Sequence, residues 1–152
     1  MPRPVSHLRP DAGFTLIELA MVIVLLGIMA SIAIAKYIDL QREARIAVLH
    51  AMQGVITTAA SLVHNKAVVM GLDLTDPKLD VDLDGDGTDE RLIYGYPKRN
   101  HGHTMEWMIA SMGDFTYING GFYRLRPNCQ VDYADPNNPG EMPQIGITDS
   151  GC

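Results

Sequence analysis

Hydrophobic positions run almost unbroken through one stretch near the amino terminus and afterwards fall on one face only. Between Phe14 and Ala35 the chain holds a single charge, Glu18, and the run closes at Lys36. Residues 14–35, rising about 1.5 Å each in a helix, are long enough to cross a hydrocarbon core of roughly 30 Å. Arg3 and Arg9 precede the span, which predicts an amino terminus in the cytoplasm and everything beyond Lys36 outside. Past Lys36 the apolar residues Leu40, Ala44, Ala47, Val48, Ala51, Val55, Ala59, Leu62, Val63 and Met70 recur in helical steps of three and four. Asp39, Gln41, Arg42, Glu43 and Arg45 fill the polar positions between them, and no proline occurs between Phe14 and Val69. One helix of roughly 55 residues, about 80 Å long, is predicted, membrane-spanning over 14–35 and amphipathic over 36–71. Ala44, Ala47, Ala51, Ala59 and Ala60 leave room for a sheet to approach closely.

From residue 72 to 152 the pattern changes to turns, acids and short β-prone runs. Strands are predicted over 91–96, 115–118, 122–125, 130–133 and 144–148, with Asn119-Gly120-Gly121 as a hairpin turn. A short helix over 104–112 places Met105, Trp107, Met108 and Met112 in the head core, and the proline- and asparagine-rich residues 135–143 form an exposed loop. The expected fold is α+β: a long amino-terminal helix whose outer half packs on an antiparallel sheet of about four or five strands.

With 152 residues the chain has room for one domain of ordinary size. Its net charge of −6 argues against a partner held through nucleic-acid phosphates, and losing Arg3, Arg9 and Asp11 with a leader would make it more negative still. Cys129 and Cys152 are an even pair, which in an exported chain points to a disulfide of about 3 kcal/mol. Two free thiols or an intermolecular bridge are the alternatives. The acid is concentrated in 80–90, where Asp80, Asp82, Asp84, Asp86, Asp89 and Glu90 alternate with glycine turns as at the start of a calcium loop. The register is incomplete, because a count from Asp80 puts Arg91 at the twelfth position and a count from Asp82 puts Ile93 there. A solvated acidic turn is the competing expectation. His101 and His103, with Glu106 and Asp114 downstream, could suggest an active site, but no nucleophile elbow, phosphate loop or full ligand set accompanies them. No enzyme is expected, and His50 and His64 read as structural.

Glu18 decides how the amino terminus is read. Ala33-Ile34-Ala35 could serve ordinary signal cleavage, but that peptide would run past the usual length and would carry an acid in its apolar core. A carboxylate there costs roughly 3 kcal/mol and persists where it has a partner. The residues Gly13-Phe14-Thr15-Leu16-Ile17-Glu18 closely resemble the processing motif of type IV pilins and type II secretion pseudopilins. The resemblance implies a leader of residues 1–13, cleavage between Gly13 and Phe14 by a prepilin peptidase, and N-methylation of Phe14. It also implies inner-membrane assembly machinery and a helical filament of identical subunits, in which Glu18 pairs with the Phe14 ammonium of a neighbour. Many relatives place a proline near the position of Ala35, so unwinding of the helix there is not implied here.

Within that family the chain is similar to mannose-sensitive haemagglutinin pilins, through Tyr37-Ile38-Asp39-Leu40-Gln41, Ala60-Ser61-Leu62-Val63, Asn65-Lys66-Ala67, the Asp-Gly-Asp-Gly loop and Tyr94-Gly95-Tyr96-Pro97. The implied function is an extracellular pilus subunit for adhesion or motility, with a host-cell or surface ligand. A secretion pseudopilin in a periplasmic piston, or a minor pilin, is the alternative.

Overall fold

The computed structural model describes residues 13–101, 104–105, 108–109, 112–118 and 120–152. Residues 1–12 of the expected leader, together with His103, Glu106, Trp107 and Asn119, lie outside the described residues. The chain divides into two compact units between Leu40 and Gln41.

The long helix α1 runs from Leu16 to Val69. It stops in a Schellman turn: Gly71 takes φ 71°, Leu72 N–H donates to the Ala67 carbonyl at 3.1 Å and Gly71 N–H to that of Val68 at 3.0 Å. In the first unit its residues are exposed almost throughout. In the second unit Leu49, Met52, Ile56, Ala59, Ala60, Val63 and Ala67 form a buried face.

Among the described residues seven strands follow: β1 Leu79–Val81, β2 Glu90–Ile93, β3 Tyr96–Pro97, β4 Thr116–Ile118, β5 Phe122–Arg126, β6 Cys129–Ala134 and β7 Gln144–Thr148. The α+β class holds, with a correction. Among the described residues the head has two antiparallel sheets, β1-β2-β3 and β4-β5-β6-β7, rather than one. The strand expected over 91–96 breaks because Tyr94 (φ 52°) and Gly95 (φ 82°) make a two-residue hairpin turn. A side chain at Gly95 would stand 2.6 Å from Leu74 Cδ2 and 2.9 Å from His64 Nδ1, so the turn also needs glycine sterically. Of the helix expected over 104–112, Thr104, Met105 and Met108 are helical among the described residues.

Each sheet has its own apolar cluster with α1. Leu49, Met52, Ile56 and Ala60 pack with Tyr123, Val131, Tyr133 and Met105 under the four-stranded sheet. Val63 and Ala67 pack with Leu83 and Leu92 under the three-stranded one. Burial of each large side chain stabilises by roughly 1.5–3 kcal/mol. Tyr133 and Tyr123 keep their hydroxyls paired, donating to the carbonyls of Pro97 at 2.7 Å and Met105 at 3.3 Å, as buried phenols require. Burial pushes the Tyr133 phenol up, far above its ordinary range.

Candidate functional site

The start of α1 is built by Thr15 and Glu18. Gly13, Phe14 and Thr15 are non-helical and exposed. Thr15 donates to Glu18 Oε2 through its backbone N–H at 2.8 Å and its Oγ1 at 2.7 Å, while Glu18 N–H donates to Thr15 Oγ1 at 3.3 Å. This is a capping box, in which an N-cap threonine and an acid three residues on satisfy each other's backbone amides. It fixes the helix start two residues after the Gly13–Phe14 peptide bond and gives the Glu18 carboxylate a partner inside the chain. Sequence reasoning singled out Glu18 but missed Thr15, although the Thr-x-x-Glu spacing signals it. From here to Leu40 the helix presents Leu19, Val22, Leu25, Leu26, Met29 and Ile32, all exposed. Among the described residues one helix is long and apolar enough to cross a membrane, and its apolar part is not covered by the rest of the chain.

The acidic loop joins β1 to β2. Asp82, Asp84 and Asp86 bring one carboxylate oxygen each to within 4.8 Å of one another. The same carboxylates organise the turn: Asp82 accepts from the N–H groups of Gly85 at 2.6 Å and Gly87 at 2.9 Å, Asp84 from Asp86 at 3.1 Å, and Asp86 from Thr88 at 2.7 Å. Those amides hold the Asp82 carboxyl below the usual range. The other acids singled out from sequence lie elsewhere. Asp80 pairs with Arg91 across β1 and β2, at 2.5 Å to Nε and 3.1 Å to Nη2, and its carboxyl is lowered by that bond. Glu90 is fully buried and accepts from Leu83 N–H at 2.6 Å. Asp89 is exposed and does not join the cluster.

The sequence matches the family described as "Prokaryotic N-terminal methylation motif" over residues 8–34. That match takes in both the capping box and most of the apolar span. Over that stretch the chain is similar to proteins that carry this motif. Among curated proteins it is similar to the "Type IV narrow pilus major component PilA5" of Thermus thermophilus, 42% identical over 50 residues. The match covers 33% of this chain and 43% of that relative, so the chain spans under half of the relative's length. No solved structure matches.

Behind the pilin-like terminus, Cys129 and Cys152 are bonded as a disulfide, leaving no free cysteine among the described residues. The bridged segment is held to α1 as well. Arg45 Nε donates to the Cys152 carbonyl, and Arg42 lies 3.6 Å from Asp149. His64 stacks on Tyr96 with ring centroids 4.2 Å apart, a packing position. His101 Nδ1 contacts Thr104 Oγ1 at 2.8 Å. His50 is exposed on α1.

Proposed function

We propose that the chain is the structural subunit of an extracellular type IV pilus that serves adhesion or motility. It waits in the inner membrane on residues 14–35, amino terminus inside and residues 36–152 outside, and it polymerises through α1 after cleavage between Gly13 and Phe14. The observation that carries this reading is an uncovered apolar helix that opens, within a methylation motif, on a capped acid at Glu18. In lipid the span is already in apolar surroundings, so bringing helices together gains little hydrophobic free energy, and polar pairing has to supply part of the drive. A Glu18 carboxylate facing the Phe14 ammonium of a neighbour is such a pair. Mass spectrometry of sheared fibres tests the reading: the expected species begins at N-methylated Phe14, and Gly13→Val leaves the leader attached. A mature chain that began at Lys36 would mean ordinary signal cleavage and would end the proposal.

The acidic loop favours the second reading, a pseudopilin, since it resembles calcium-binding loops there. We propose calcium for Asp82, Asp84 and Asp86, three hard oxygen donors within one ion's reach. Calorimetry is expected to find millimolar calcium raising the melting temperature relative to chelator. An unchanged melt would leave the loop a solvated turn. Loss of extracellular fibres on deletion supports a pilus, and loss of protein secretion with fibres intact supports a pseudopilus.

A further inference from the structure

Helix α1 is held in the head by a buried face that starts at Leu49 and ends at Ala67. That face stops short of residues 41–48. Gln41 to Ala44, Ala47 and Val48 are exposed, Arg45 and Ile46 are half-buried, and of these residues Ile46 alone packs against the main apolar cluster. Yet the compact unit that contains the head begins at Gln41. Helices in proteins are kept chiefly by tertiary packing, so about two turns with so little of it need another hold.

The residues after β7 supply it. Cys152 is bonded to the fully buried Cys129, and Gly151 N–H donates to the Asn128 carbonyl at 2.7 Å. A Cβ on Gly151 would collide with the Pro127 carbonyl oxygen, so this segment lies flat on the turn between β5 and β6. Cys152 N–H closes back on the Asp149 carbonyl at 3.0 Å. Two acceptors of the fixed segment meet α1: the Cys152 carbonyl accepts from Arg45 Nε, and the Asp149 carboxylate stands 3.6 Å from Arg42. The first is a part-buried, charge-assisted bond, whereas solvent screens the second.

We infer that residues 149–152 form a strap that fastens residues 41–48 of α1 to the head, and that the disulfide keeps the strap closed. Arg45 is its fixing point. With the strap closed, the part of α1 that belongs to the head starts at Gln41; with it open, that part starts at Leu49, where apolar burial begins. The disulfide therefore acts on the folded chain as well as on the unfolded one, because it decides how much of α1 can open locally beyond Lys36. The inference does not use the filament reading and holds for a pilin and a pseudopilin alike.

Amide hydrogen exchange on the full chain in lipid nanodiscs tests it, since local opening is read residue by residue as lost protection. In the unsubstituted chain the protection of the head is expected to begin at Gln41. Arg45→Met, which keeps an aliphatic stem, and Cys152→Ser are each expected to speed exchange of amides 41–48 at least tenfold and to move the boundary to Leu49. Val131→Ala, which weakens the core but leaves Arg45 and the disulfide in place, is expected to speed exchange across the head without moving the boundary. A boundary that stays at Gln41 in either strap variant, one that moves in Val131→Ala as well, or residues 41–48 exchanging as fast as 36–40 in the unsubstituted chain overturns the inference.

Discussion

Glu18 is satisfied within its own chain. Its carboxylate accepts twice from Thr15, which offsets part of the cost of placing an acid at the head of an apolar span. Glu18→Ala therefore removes the acid half of the box, leaving Thr15 Oγ1 to cap the amide of residue 18, and also removes the anion proposed for a neighbour's Phe14. Insertion depends on apolar length and flanking charge and is expected to continue. An ammonium left without its acid in low dielectric costs roughly 3–5 kcal/mol per subunit, enough to stop a polymer. Normal subunit in the membrane fraction with little or no sheared fibre is the expected result, and a normal fibre yield would remove Glu18 from assembly. A capping box is local, so the spacing of Thr15 and Glu18 carried this cap although the sequence reading passed over it. Tyr94 was not legible as a turn residue, since a bulky side chain at positive φ is uncommon and the β-prone run around it reads as one strand.

Among the elements, the β1–β2 hairpin is where charge shapes folding. Hydrogen bonds lower the carboxyls of Asp82, Asp80 and Asp73, from the Gly85 and Gly87 amides, Arg91 and Thr75 respectively. A folded-state pKa below the unfolded value means that stability is fully present above about pH 4 and is lost as pH falls through the depressed values. The head is accordingly expected to melt at lower temperature as pH drops from about 4 toward 3, and Asp82→Asn is expected to reduce that loss. A slope that steepened or kept its size in the variant would count against the loop as its source. These acids also mark where the sequence stopped being readable. Asp80 meets Arg91 only because β1 and β2 pair them in register, and Glu90 reaches the Leu83 amide only because its strand turns it inward. Pairings across eleven and seven residues depend on the register of a hairpin, which alternation alone left open. The split into two sheets was hidden for the same reason: each packs on a different stretch of one continuous helix pattern.

For the molecule as a whole, the disulfide ties β6 to the residues after β7 across 23 positions. Closing a loop of that length stabilises by about 3 kcal/mol, chiefly by restricting the unfolded chain. Cys152→Ser is expected to lower the melting temperature by about 10 °C or more, and adding reductant to the variant should produce no further shift. The exposed Arg42–Asp149 pair contributes far less, because solvent screens it. Assembly, in a chain that works as proposed, is then a swap. The Thr15–Glu18 box means that a subunit leaving a filament can fold its acid back onto its own first turn, and one joining it releases a bond already made. What a subunit gains from the pair with a neighbour's Phe14 is thus net of the Thr15 bonds that it gives up, so the grip between subunits is weaker than the new contact taken alone.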